Sequence, residues 1–329
     1  MNNEQRMIAE SADALFSELG PNASFEADWP AIEALGFPDL MLGKEDGGIG
    51  GCWRDAQTVF RLAGYHALAL PLVEATIARH LAGNEASGLG TIVFAPANLS
   101  ANDQFTGIIA GVPWGRYADY VLMPSGDGRT LLLSGGISIL SEGANAAGEP
   151  RDTLWCDGSQ CQLVGGDVIA LGAMSRAAQI SGALDAALAL SVEHVNQRQQ
   201  FGKPLGKLQA VQQALATFAV EAAAANCAAM GAAQAADSGD AAFEAGAAKL
   251  RASQAAATGS AVAHQVHGAI GFTSEYALHP LTRRLWAWSS EFGGQSHWAD
   301  RLGRSAMFAS AESLWAGLVD RHDRSGRES

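Results

Sequence analysis

The sequence predicts an α+β protein: an N-terminal helical domain, a small middle β domain and a C-terminal helical bundle. Three observations carry this prediction. Apolar residues recur at helical spacing near the N-terminus, short apolar runs between turn residues take over in the middle, and a long Ala-, Leu- and Gln-rich stretch is helical again. With 329 residues, 48% of them hydrophobic and 17% charged, the chain suffices for two or three units around a large core.

Residues 1–85 form the first helical segment, with Met7, Ile8, Leu15, Phe16 and Leu19 on one helical face. Breaks follow at Gly20-Pro21, at Gly36-Phe37-Pro38 and in the run Gly47-Gly48-Ile49-Gly50-Gly51. No β-branched strand precedes that run and no Gly-Lys-Ser/Thr ends it, so it reads as a tight loop between helices and not as a phosphate loop. Residues 86–170 carry the strand signals Thr91–Ala95, Tyr120–Met123, Leu131–Leu133 and Val168–Ala170, with Gly126-Asp127-Gly128 and Gly135-Gly136 as turn signals between runs. Residues 171–329 form the bundle. Its stretch 173–236 combines helix propensity with an apolar stripe, and turns at Gly202–Gly206 and Asp237–Asp240 separate three long helices.

Thirty-four acidic residues against 21 basic ones leave a net charge of -13, which repels phosphate backbones and anionic lipid and argues against a nucleic-acid partner. The four cysteines (Cys52, Cys156, Cys161, Cys227) lack the paired spacing of a zinc site and read as reduced thiols, so no metal is expected. The N-terminus has no apolar signal core, and the Ala-rich runs are interrupted by Glu, Gln, Lys or Asp before reaching the ~18 apolar residues of a spanning helix. A soluble, cytoplasmic protein without a membrane partner is expected.

Two C-terminal segments carry a resemblance. Arg198-Gln199-Gln200-Phe201-Gly202-Lys203-Pro204-Leu205, followed by Leu208–Gln212, and Gln265-Val266-His267-Gly268-Ala269-Ile270-Gly271-Phe272-Thr273-Ser274-Glu275, followed by Arg283-Arg284, resemble signatures of the acyl-CoA dehydrogenase family. The N-terminal phrases Gly36-Phe37-Pro38, Glu45–Gly51 and Leu70–Glu74 resemble its first helical domain. The resemblance implies a helical domain, a β domain and a four-helix bundle. It also implies FAD as cofactor, an acyl-CoA thioester as substrate, an electron-transfer acceptor and an oligomeric state. In such an enzyme a carboxylate removes the α proton of the thioester while the flavin accepts the β hydride.

By this resemblance Arg198 and Phe201 clasp the ADP half of FAD, usually a flavin housed mainly by a neighbouring subunit. A guanidinium suits a pyrophosphate and an aromatic face suits adenine. Gln209 falls at the next FAD contact. Gln265, Gly268 and Ala269 match the Gln-x-x-Gly-Gly motif, in which bare backbone approaches the cofactor; Ala269 is tolerable there at negative φ. For His267 a packing or hydrogen-bonding role is preferred, and for Glu275 a capping or surface role.

The catalytic carboxylate is missing. Where complete members carry Tyr-Glu-Gly-Thr, this chain reads Glu291-Phe292-Gly293-Gly294-Gln295, so Gly293 stands at the base position. No carboxylate occurs in Gly172–Arg176, near the alternative base position of some members, and the phrase that contacts the flavin ring is replaced by Phe94–Ser100 and Gly111–Gly115. Trp114 reads as a core or interface aromatic in preference to a flavin-stacking one. The pattern implies a subunit of a hetero-oligomer that completes an FAD site for a catalytic sister subunit acting on a bulky, steroid side-chain type thioester. Two alternatives stand: a self-sufficient homo-oligomer with Glu291 as a displaced base, and a noncatalytic protein that holds FAD or a CoA thioester.

Overall fold

The computed structural model describes residues 3–95, 104–125, 128–308 and 311–326. Part of the Phe94–Ser100 phrase and the turn residues Gly126 and Asp127 lie outside the described residues. Helices α1 (Asn3–Leu19), α2 (Phe25–Ala34), α3 (Trp53–Tyr65) and α4 (Leu72–Ala82) come first. Ser24 caps α2, its Oγ accepting from the Ala27 amide, and the glycine run is a loop ahead of α3, with Gly47 and Gly50 at φ of 86° and 73°. Strands β1 (Gly90–Ile92), β2 (Gln104–Pro113), β3 (Tyr120–Pro124), β4 (Thr130–Ser134), β5 (Ile137–Ser141) and β6 (Arg151–Val164) follow. The rest is helical apart from a small hairpin: α5 (Val168–Gln197), β7 (Gln199–Gln200), β8 (Lys203–Pro204), α6 (Gln209–Asp237), α7 (Ala242–His267), α8 (Leu278–Ser290), α9 (Gln295–Phe308) and α10 (Ala311–Gly326). Contacts group the chain into two compact units, Ser17–Ala56 with Leu68–Gly172 and the remainder.

In the first of these units the sheet runs β1-β3-β4-β6-β2, with β5 also on β6, and every pair is antiparallel except β1 with β3. Val93, Ile109, Val112, Val121, Met123, Leu131, Leu133, Leu154 and Cys156 form its core. The longest strand, β6, has no continuous apolar run. It buries Asp152, Leu154 and Cys156 at a period of two while Trp155 faces out, which is why a search for apolar runs finds β3 and β4 and passes over β6. Asp152 is tolerable inside because it accepts from the Arg116 side chain and amide and from the Gly143 amide. Trp114 is buried in this unit, tilted against Tyr117, as its core reading requires. Val168–Ala170 corrects the strand reading. These residues are the first turn of α5, set off by the Asp167 carboxylate, which accepts from the amides of Ile169 and Ala170.

The second unit holds the bundle, whose helices approach closely through small residues. Gly182 of α5 lies against the backbone of Arg61 and Tyr65 in α3, and Gly259 of α7 against Leu184 and Phe218. Helix α6 corrects another expectation: by length and composition it is apolar enough to cross a membrane. Alanine raises its mean hydropathy, and Glu221, its one acidic residue before Asp237, is ion-paired to Arg251 of α7. Phe218, Ala222, Ala225, Ala229, Ala232 and Ala233 are its buried residues, and α7 is its main neighbour.

Candidate functional site

At one end of the bundle a cavity of about 610 Å³ opens where α5 ends, α6 begins and α7 ends. The Arg198 amide donates to the His194 carbonyl, and the Leu205 amide donates back to the Arg198 carbonyl, so the intervening β7–β8 hairpin is tightly closed. Its two tip residues, Phe201 and Gly202, both have positive φ (55° and 76°), the condition for the tight hairpin turn whose twist matches the strands. Glycine adopts this conformation freely. Phenylalanine does not, and Phe201 is nevertheless held there with 82% of its surface exposed.

The sequence-predicted residues meet at this cavity. Arg198, Phe201, Gln265, Gly268 and Ala269 all line it; Gln209 does not, being exposed in the first turn of α6 between Leu208 and Ala210, which do. Gly268 ends α7 at φ 63° with open space where a Cβ would stand, so its backbone is bare toward an approaching group. Ala269 keeps a negative φ in the following 3-10 turn, Gly268–Phe272, and its methyl costs no strain. Helix α6 starts at this cavity without a side-chain cap, leaving its first amides for a ligand or water.

Two histidines add to the wall. His194 and His267 stack at 4.5 Å, and His267 Nδ1 donates to the Ala263 carbonyl at 2.7 Å. Burial pushes both imidazoles below the ordinary histidine range. His194 carries a signal that the sequence reading missed: it precedes Arg198 by four residues, one helical turn back in α5, whose end Arg198 follows directly. Among the described residues the lining contains no carboxylate. Its chemistry suits an anionic ligand with an aromatic ring and offers no carboxylate base. Glu275 lies on the surface, accepting from Ser274 Oγ at 3.0 Å.

The stretch Glu291–Gln295, which the resemblance sets against the family's base, is elsewhere in the same unit and is tightly built. Arg176 of α5, 2% exposed, donates from Nε to Glu291 Oε2 at 2.9 Å and from Nη1 to Gln179 Oε1. Its guanidinium sits 5.9 Å from the Trp288 ring and 5.7 Å from the Phe292 ring. Lys249 of α7 is fully buried and donates to the Ser253 hydroxyl (3.1 Å) and to the carbonyls of Ser289 (2.8 Å) and Gly293 (2.9 Å). Burial pushes its amine down to about 7, Glu291 working against that shift and Arg176 with it. Gly293 has φ 89°, and a Cβ there would meet the rings of His297 and Trp298 at 2.6 Å.

Residues 166–295 match the profile of the acyl-CoA dehydrogenase C-terminal domain. This chain carries the C-terminal domain of the acyl-CoA dehydrogenase family. The acyl-CoA dehydrogenase IpdE2 of Mycobacterium tuberculosis is 28% identical over 85% of this chain and 90% of its own length. Among solved structures, the acyl-CoA dehydrogenase fold recurs in the ChsE4-ChsE5 complex of Mycobacterium tuberculosis (TM-score 0.83, 18% identity, 94% of this chain and 99% of that one). It recurs also in a variant of the Tcur3481-Tcur3483 steroid ACAD (TM-score 0.82, 22% identity, 92% and 97%). Acyl-CoA dehydrogenases are FAD flavoproteins, and the cavity fits the ADP half of that cofactor. The lining offers a cation in Arg198, an exposed ring in Phe201 and bare backbone at Gly268, groups whose chemistry suits a pyrophosphate and an aromatic base.

Proposed function

We propose that this chain is an acyl-CoA dehydrogenase subunit that completes an FAD site for a catalytic sister subunit, in a hetero-oligomer oxidising the Cα–Cβ bond of a bulky, steroid side-chain type acyl-CoA thioester. The observation that carries the reading is a division in the chain. The residues that match the family's grip on the ADP half of FAD converge on one cavity, while the base position is a glycine and the nearest carboxylate, Glu291, is engaged by Arg176. Bound FAD supplies the hydride acceptor of the reaction. Arg198 holds the pyrophosphate, the Gly268–Ala269 backbone lets it approach, and Phe201 covers the adenine from the hairpin tip.

The substrate class is supported by a fold neighbour that is a steroid ACAD, Tcur3481-Tcur3483, and the two-subunit assembly by that neighbour and the ChsE4-ChsE5 complex, each named for two proteins. The test is flavin content per protomer, by absorbance, with mass in solution, for the chain alone and co-expressed with a neighbouring acyl-CoA dehydrogenase gene. About one FAD per two chains, retained only in the co-expressed complex, is the expected result. One FAD per chain in an active homomer would overturn it and return Glu291 to consideration as base.

A further inference from the structure

Three charged side chains from three segments meet inside the bundle, none of them lining the cavity beside Arg198: Arg176 on α5, Lys249 on α7 and Glu291 just after α8. Burying a charge is costly unless it is paired and hydrogen-bonded, so each needs a structural return. They share a target. Arg176 grips the Glu291 side chain and lies against Phe292, Lys249 binds the carbonyls of Ser289 and Gly293, and Trp298 donates to the Phe292 carbonyl at 2.9 Å. The turn 289–293 is therefore tied through Glu291, Phe292, Ser289 and Gly293, and its two residues of positive φ, Phe292 at 50° and Gly293 at 89°, are held in that shape, which is strained for the phenylalanine.

We infer that Arg176, Glu291 and Lys249 form a lock that turns the segment carrying the base in complete acyl-CoA dehydrogenases into a fixed structural element, so this chain's own base position is closed by its packing and not only by loss of one carboxylate. The inference rests on the proposed division of labour between subunits and adds why a single substitution does not reverse it. A side chain at Gly293 has no room beside His297 and Trp298, and the left-handed backbone that disfavours it is the one whose carbonyl Lys249 holds. Glu291 is a positioning residue here, its carboxylate engaged by a buried guanidinium.

The test uses the co-expressed, flavin-loaded complex. In Gly293→Glu the thermal midpoint falls and turnover does not rise above that of the parent complex; a folded variant with added dehydrogenase turnover would overturn the lock. Because that variant can fail to fold, Glu291→Gln, Arg176→Met and the pair together are compared by hydrogen exchange of the amides at 290–294. Each single change exposes an uncompensated partner and lowers protection on the order of a hundredfold, while the double change loses less than the sum of the two. Protection in the parent also varies with pH across the Lys249 titration, a dependence that Lys249→Met abolishes. The groups facing that amine are Arg176, Glu291 and His297, and they remain in both proteins.

Unchanged protection in the single variants, or a pH dependence that survives Lys249→Met, would remove the lock while leaving the shared-cofactor reading intact. Loss of turnover in Glu291→Gln with flavin and protection unchanged would make Glu291 a reacting group and overturn both.

Discussion

The guanidinium of Arg176 lies 2.9 Å from the carboxylate of Glu291, 115 residues later in the chain, with only 2% of the arginine and 17% of the glutamate side chain exposed. At that burial the pair is screened little by solvent, and the Glu291 carboxylate is engaged by a buried guanidinium. The functional consequences concern the cofactor cavity, the hairpin beside it, the buried lysine and the helix crossings that align the bundle.

Replacing Arg198 by Ala removes the cation from the cavity wall. Hydrogen bonds between charged groups contribute about 1.5–3 kcal/mol, so flavin affinity of the co-expressed complex should weaken roughly 10–100-fold. Equilibrium dialysis followed by absorbance reads this directly. Unaltered flavin retention would place the pyrophosphate elsewhere.

Phe201→Gly separates fold from function at one position. The ring is 82% exposed and the backbone left-handed, so glycine relieves strain of about 1 kcal/mol and buries nothing less. The unfolding midpoint should hold or rise while flavin dissociates faster. A fall in both would mean that Phe201 supports the hairpin.

Lys249 sets a pH dependence of stability. Unfolded, its amine titrates near the ordinary 10.5; folded, burial brings it to about 7. Between these values the unfolded chain binds more protons, so stability rises with pH through that window, by up to about 1.4 kcal/mol per unit, and is flat with respect to this group below 7. Urea midpoints at pH 7, 8 and 9 should climb for the parent relative to Lys249→Met. Parallel curves would show that the amine stays charged in the fold.

Gly182→Ala tests the close crossing of α5 with α3. The new methyl meets the backbone of Arg61 and Tyr65, which cannot rotate away as a side chain would, so a loss of about 1–3 kcal/mol is expected in chemical denaturation. The same change at Gly231 of α6, where a Cβ meets nothing within 4 Å, should cost no stability and favour the helix.

Local pattern made much of this legible. The periodic apolar face containing Phe16, the all-buried runs of β3 and β4, and the glycine and proline breaks at 20–21, 36–38 and 202–206 all mark elements or boundaries found in the fold. Motif spacing also brought Arg198, Phe201, Gln265, Gly268 and Ala269 together, because the first two sit at the base and tip of one hairpin and the others end the helix beside it. Amphipathic β6 is hidden, its buried residues Asp152, Leu154 and Cys156 falling in alternation with exposed or half-buried ones. Val168–Ala170 misled in the opposite sense, since three apolar residues fit a strand and a first helical turn equally well.

The sequence by itself determined the order of helices, sheet and bundle and the two motifs around Arg198 and Gly268, since each depends on residues close together in the chain. Only the tertiary structure decided what Glu291 pairs with. Its environment is made by Arg176 and Lys249, 115 and 42 residues away, and the pairing of buried charges depends on which helices pack together. The same holds for α6, whose composition suits a membrane as well as a bundle until Phe218, Glu221 and their neighbours meet α7.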